Sequence, residues 1–167
     1  MRTLFVLRHA AARGPGSAPS DFDRPLDARG LKQAASLGAI VRSHDVEAIL
    51  ASPALRVVET IAGLGTGIGR GVEPGYDRRI YNASPESLLE IIRETDDRIK
   101  RLLIVGHNPG LELLLLELAQ DDPGGRRREV AAGYATATLA ELSLAVDQWR
   151  EVGPRQGHII SLARGQD

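Results

Sequence analysis

The segment Thr3-Leu4-Phe5-Val6-Leu7-Arg8-His9-Ala10 decides how this chain is read. Leu4 to Leu7 form a short, continuously apolar run of the kind that becomes a buried parallel strand. The run then stops on an arginine and a histidine. In open α/β sheets, ligands bind in the crevice at the carboxyl ends of the parallel strands. Arg8 and His9 stand where a ligand would be met.

Two further apolar runs, Ala48 to Ala51 and Leu102 to Val105, are each followed by a helical pattern, as is the first. The alternation predicts a layered α/β domain. Strand two ends in Ser52-Pro53, with Arg56 one turn into the next helix. The third run ends in Gly106-His107-Asn108-Pro109. Two arginines and two histidines, Arg8, His9, Arg56 and His107, are thereby expected on one edge of the sheet. A single histidine or arginine at a strand end is usually a solvated surface group. Four of them at three strand ends argue for a shared anionic ligand. A cation in the first turn of a helix is disfavoured by the helix dipole, so Arg56 needs an anion to reverse that sign. Helix N–H groups and guanidinium forks together suit a phosphate or carboxylate.

The chain has 167 residues, of which 43% are hydrophobic and 26% charged, the balance of an ordinary globular protein, and residues 1–167 read as one domain. A net charge of -1 argues against a nucleic-acid partner, which would call for a basic excess. The absence of cysteine removes disulfides, thiolate catalysis and thiolate metal sites. No apolar run is long enough for a membrane span or a signal-peptide core, so a cytoplasmic protein with no membrane partner is expected. A metal is not expected, because His9 and His107 lack a nearby third ligand and the arginines would repel a divalent cation.

Helix signals are clear in places. Asp27 reads as the cap of a helix reaching about Ser43, with Leu31, Ala34, Ala35, Gly38 and Val41 on its buried face. Ser52-Pro53, Ser84-Pro85 and Asn108-Pro109 pair a capping side chain with a proline at the first helical position. Residues 13 to 25 and the glycine-rich stretch Gly63 to Gly75 read as loops, the second leading to an edge strand around Val72-Glu73. Thr136 to Leu142 and Gln148 to Val152 read as a strand pair, and the last residues, from Leu162, as a mobile tail. Gly124 to Glu129 reads as a solvated loop. His44 and His158 read as structural or solvated. Asp21 and Asp23, with Arg24, either form a pair within their loop or border the pocket, and the loop reading is favoured.

The stretches "LRHA", "ASPALRVVET" and "VGHNPG" resemble, in order, three motifs of the histidine phosphatase superfamily. The short chain and "DFDRPLDARG" resemble in particular its SixA-like phosphohistidine phosphatases. The resemblance implies the phosphoglycerate mutase-like fold, a three-layer α/β/α sandwich with a mostly parallel central sheet. It also implies a phosphatase that works without metal or other cofactor. His9 would be the nucleophile that becomes phosphohistidine, with Arg8, Arg56 and His107 around the phosphate oxygens. To attack, His9 must be neutral at one nitrogen while an acceptor, expected to be a backbone carbonyl, holds the N–H of the other.

Many members of the superfamily carry a carboxylic proton donor that is not evident here. "RRIYNASPES" lacks one, Asn108 follows His107, and Glu86 reads better as part of a capping box. A missing general acid costs ~10²–10⁴-fold when the leaving group must be protonated. Phosphohistidine on a protein is therefore expected to be a better substrate than a sugar phosphate. A small-molecule phosphomonoesterase using Asp21, Asp23 or Glu86, and a non-catalytic phosphoanion-binding module, are the alternatives. Phosphate or sulfate is expected to occupy the site.

Overall fold

The computed structural model describes residues 1–167. Its strands are β1 (Arg2–Arg8), β2 (Ala48–Ala51), β3 (Pro74–Tyr76), β4 (Arg101–Gly106), β5 (Thr138–Leu144) and β6 (Gly157–Arg164). Its helices are α1 (Ala28–Arg42), α2 (Leu55–Leu64), α3 (Pro85–Arg93), α4 (Gly110–Leu118) and α5 (Arg126–Ala132). The six strands form one sheet in the order β3-β2-β4-β1-β5-β6. The first four are parallel, and β5 and β6 are antiparallel additions on the β1 side. The fold is therefore the α/β sandwich expected, with a mixed sheet whose parallel part carries the predicted strands.

Strand alternation divides the core into two layers. Leu4 and Val6 of β1, with Leu102 and Ile104 of β4, pack against Leu88, Leu111, Leu114 and Val130 of α3, α4 and α5. Phe5, Leu7, Leu103 and Val105 face the other way, onto Leu37, Val41, Val57 and Ile61 of α1 and α2. Strands buried on both faces have to be continuously apolar, which is why Leu4 to Leu7 and Leu102 to Val105 read so plainly. From β1 the chain steps past β4 to β2 and out to β3, then returns to β4 through α3 on the opposite face. That reversal opens a crevice at the carboxyl ends of β1, β2 and β4. Arg8 and Gly106 are paired in register there, as are Ala51 and Val105.

Several local expectations shift. Asp27 caps α1, its Oδ1 accepting from Gly30 N at 2.8 Å, but the buried face is Gly30, Gln33, Ala34, Leu37, Gly38 and Val41. Leu31 is exposed, and so is Ala35. The helix is turned this way because Gln33 Oε1 accepts from Ala11 N at 2.9 Å and Gly30 lies directly under the Ala11 carbonyl. The edge strand falls at Pro74–Tyr76, where a proline opening an edge strand forfeits no ladder bond. The predicted strand at Gln148 to Val152 is instead a 3-10 turn, Trp149–Glu151, whose fully buried Trp149 donates from its indole to the Ile99 carbonyl at 2.6 Å.

The partner of β5 is β6, and it takes in Leu162 to Arg164 of the supposed tail. Beyond it, Gly165 N bonds the Ala137 carbonyl at 2.8 Å and Gln166 N bonds Ser36 Oγ at 2.7 Å. The run Arg126–Ala132 is helical, not a loop, because the Asp122 carboxylate accepts from Arg126 N at 3.2 Å and Arg127 N at 3.1 Å. Ser84 caps α3 as expected, whereas α2 begins at Leu55, two residues after Pro53, and α4 at Gly110, one residue after Pro109, so neither proline takes the first helical position.

A Cβ at position 30 would run into the Ala11 main chain, and backbone cannot swing aside as a side chain can. Gly30→Ala is expected to lower unfolding stability by about 1–3 kcal/mol, the usual cost of overpacking, as measured by denaturant titration. An unchanged midpoint would show that α1 can slide to make room.

Candidate active site

Arg8, His9, Arg56 and His107 line a single cleft of about 410 Å³ at the carboxyl ends of the strands. Ala12, Asp21, Arg24, Asn82, Asn108 and Thr136 complete its wall. The four expected residues are thus brought together from β1, α2 and the loop after β4. His9 and His107 are 7% and 5% exposed, their ring centroids 5.4 Å apart, and Arg56 between them is 3% exposed.

The main chain sets the orientation of His9. Its amide bonds the Gly106 carbonyl at 3.1 Å, while Ala137 N reaches the carbonyls of Arg8 and His9 at 3.1 and 3.0 Å. His9 Nδ1 lies 2.7 Å from the Ala10 carbonyl oxygen. A carbonyl only accepts, so the proton sits on Nδ1 and Nε2 carries a lone pair. Ala10 is fixed in turn by its N–H to Thr60 Oγ1 at 3.0 Å, and that hydroxyl donates to the Arg56 carbonyl at 2.6 Å. The imidazole of β1 is thereby tied to the helix that carries the second arginine.

Arg56 Nε donates toward His9 Nε2 at 3.4 Å, and its Nη2 toward His107 Nδ1 at 3.2 Å. A guanidinium has no acceptor, so His107 Nδ1 must offer a lone pair. His107 therefore keeps its proton on Nε2, which donates to Ser52 Oγ at 2.8 Å. Ser52, fully buried, accepts from Ala54 N at 3.2 Å as well. Its residue type suggested a helix cap, but it fixes a histidine tautomer.

Arg8 and Asn108 share one acceptor, the Tyr134 carbonyl, at 2.9 and 2.8 Å. Arg8 Nε is buried and has no acceptor in the protein. Pro109 at the N-cap offers no side-chain acceptor, and Glu112 N donates to Asn108 Oδ1 at 3.3 Å, so Asn108 steadies the first turn of α4 while lining the cleft.

At Asp21 both readings hold: it pairs with Arg24 within the loop and it borders the cleft. Its Oδ2 accepts from Arg56 Nη2 at 3.1 Å and Tyr81 O–H at 2.5 Å, and its Oδ1 from Arg24 Nε at 3.0 Å. A loop of this length in a compact domain is often functional, and its Asp-x-x-Arg spacing was the available signal. Asp23 instead accepts from Ser20 Oγ at 2.7 Å, and Glu86 is exposed on α3, away from the cleft. His44 packs on Phe5, ring centroids 4.8 Å apart, and His158 is exposed on β6. Tyr81, edge-on to His107 at 5.4 Å, and Thr60 were not singled out by sequence, because their contacts form only between distant segments.

Burial, then the Arg56 charge, pushes the His107 pKa down to about 3. Burial, with Arg56, Arg8 and Arg24 nearby, pushes that of His9 down to about 4, against the opposing effect of the Ala10 carbonyl. Asp21 is held down to about 2, first by the Tyr81 hydroxyl and then by the arginines. At neutral pH the cleft presents two neutral imidazoles, three guanidiniums and one carboxylate.

The profile of the histidine phosphatase superfamily (branch 1) matches residues 4–84. The uncharacterized protein Rv1276c of Mycobacterium tuberculosis is 33% identical over 153 residues, covering 89% of this chain and 92% of that one. Among solved structures, a candidate phosphohistidine phosphatase SixA from Nakamurella multipartitia superposes with a TM-score of 0.85 at 27% identity, covering 98% of this chain and 96% of that chain. Its counterpart from Agrobacterium tumefaciens gives 0.78 at 26% identity, covering 97% of each.

Both imidazoles should stay neutral in the folded protein well below the ordinary histidine range. The unfolded chain takes up these protons near pH 6.5, whereas the fold excludes them down to about pH 4 and 3. Stability should therefore fall as pH drops from about 6.5 through that interval. Imidazole NMR should show His9 protonated on Nδ1 and His107 on Nε2 at pH 7, with neither titrating above pH 5. A midpoint near 6.5 for either ring would contradict the burial argument.

Proposed function

The chain belongs to the histidine phosphatase superfamily, and from that premise we propose that it is a metal-independent phosphatase acting on protein phosphohistidine through a phosphohistidine intermediate on His9. One observation carries the reading. His9 has its Nδ1 proton committed to a carbonyl at 2.7 Å, so its free lone pair on Nε2 faces the guanidinium of Arg56 inside the cleft.

The chemistry follows from that pair. Phosphoryl transfer asks mainly for alignment and stabilisation of spreading charge. Arg56 and Arg8, whose Nε–H lacks a protein acceptor, supply donors to the phosphate oxygens. His9 Nε2 attacks phosphorus, an N–P bond forms, and the bond to the leaving group breaks. Water then attacks the phosphohistidine, phosphate departs, and His9 regains its neutral form. His107, with no proton on the nitrogen facing Arg56, takes one from solvent at Nδ1 as the anion arrives and offsets the cationic field, Arg56 Nη2 then turning its donor to the anion. It then serves as a donor to the transferring group, with Nε2 still anchored on Ser52.

The acid–base inventory favours the substrate class. Asp21, held down to about 2, is ionised at working pH and engaged by three donors, so it has no proton to give. Asp23 and Glu86 lie outside the cleft lining. An alkoxide would leave without help, whereas an imidazole leaves already protonated by solvent. The location follows from the same substrate: protein phosphohistidine would be met in the cytoplasm.

A second reading, a small-molecule phosphomonoesterase, rests on Glu112. It lies in the groove adjoining the cleft beside Arg8, its Oε2 accepting from Asn108 Nδ2 at 3.3 Å. A sugar phosphate turned over faster than a phosphohistidine protein, with the advantage lost in Glu112→Gln, would favour that reading.

The main test uses an aryl phosphate and a phosphohistidine protein. Hydrolysis should survive a chelator and fall about a thousandfold or more in His9→Ala, as expected for a covalent nucleophile. A base-stable, acid-labile label should form on the wild type and vanish in that variant. Turnover retained in His9→Ala would refute the nucleophile assignment, and anion binding without any turnover would identify a binding module.

A further inference from the structure

We propose that Asp21 is a positioning residue for Arg56, gripping the outer edge of its guanidinium so that the inner edge stays turned toward the two histidines. The inference rests on the phosphatase reading and adds a residue to it. The fork of Arg56 is divided between two sets of partners. Its Nε and Nη2 face His9 Nε2 and His107 Nδ1 at 3.4 and 3.2 Å. Its Nη1 donates to the Asp21 carbonyl oxygen at 2.8 Å, and Nη2 donates also to Asp21 Oδ2 at 3.1 Å. One residue thus holds the fork at two points, through its main chain and its side chain, which fixes direction as well as distance.

Asp21 is itself fixed from two other segments. Tyr81, in the turn after β3, donates to Oδ2 at 2.5 Å, and Arg24 donates to Oδ1 at 3.0 Å while reaching the Arg13 carbonyl at 2.5 Å. The next residue, Phe22, packs edge-on against Tyr81 at 5.2 Å and carries the Arg78 guanidinium 5.0 Å above its ring. The Asp21–Arg24 part of the loop after β1 is therefore strapped across the mouth of the cleft, and through Asp21 it holds Arg56. Asp21 is the only carboxylate in ion-pairing range of Arg56, whose side chain is 4% exposed, while Asp21 is 48% exposed. Half-exposed pairs add little to fold stability. The value of this pair lies in where it aims the fork.

A guanidinium misplaced by about 1 Å can cost about a hundredfold in rate. Asp21→Ala should therefore lower kcat for aryl phosphate by about 10–100-fold, with a smaller change in KM. Asp21→Asn keeps an oxygen for Arg56 Nη2 and for the Tyr81 hydroxyl, so kcat should return to within about fivefold of wild type. Tyr81→Phe, which frees Asp21 on one side, should fall between them. The Arg56 Nε–H resonance, assigned by its loss in Arg56→Lys, should be slow to exchange in wild type and Asp21→Asn and merge with solvent-exposed arginines in Asp21→Ala.

Wild-type kcat and an unchanged resonance in Asp21→Ala would overturn the proposal. Asn as damaging as Ala would show that charge, not placement, is what Asp21 supplies, and would overturn it too. If Asp21→Ala fails to fold, Asp21→Asn and Tyr81→Phe carry the same comparison. A wild type inactive on every phosphate, with the resonance still collapsing in Asp21→Ala, would remove the phosphatase reading and leave the grip on Arg56 standing.

Discussion

Arg56 is a guanidinium buried among groups that cannot all be cations, and that constraint organises the site. It only donates, so each nitrogen it faces must be a lone pair, and both imidazoles are thereby assigned tautomers. Ala10 and Ser52 take up the protons on the far nitrogens. The result is an uncharged pair of histidines bridged by one guanidinium, in a cationic pocket whose rings are held neutral by burial and by the charge beside them.

The sheet explains why these groups meet. β1, β2 and β4 are adjacent and parallel, so their carboxyl ends share one edge, and each ends on a polar segment. Arg8 and His9 come from the end of β1, Ser52 from the end of β2, and His107 from the end of β4. Arg56 reaches the same point from the first turn of α2. The chain reverses direction across the sheet between β3 and β4, which leaves the crevice uncovered by either helical layer. The loop after β1 occupies its rim and supplies Asp21 and Arg24 to the wall.

That rim also bears on chemistry. A carboxylate in a cleft of guanidiniums and imidazoles invites a proton-donor role, but three hydrogen-bond donors on Asp21 commit it to the ionised form. The same donors that disqualify it as an acid make it a rigid hold on Arg56. The cleft therefore offers placed cations and a neutral imidazole lone pair, and no carboxylic acid with a proton to give at Asp21.

Three of the parallel strands, β1, β2 and β4, and the edge on which Arg8, His9, Arg56 and His107 gather were legible in the chain alone. Those features are written in local patterns, since a strand buried on both faces must be continuously apolar and the polar residue ending it lies next to it in the chain. The remaining features depend on how the chain folds back on itself. The β5 partner is Gly157–Arg164 because antiparallel pairing is settled by register across the sheet, and Trp149 turns inward to reach the Ile99 carbonyl fifty residues back. The face of α1 is set by Gln33 and Gly30 meeting Ala11, and the roles of Asp21, Tyr81, Thr60 and Ser52 are set by partners 35 to 60 residues away. Such contacts leave no period in the sequence, because a hydrogen bond depends on where two distant groups end up and not on the spacing around either one.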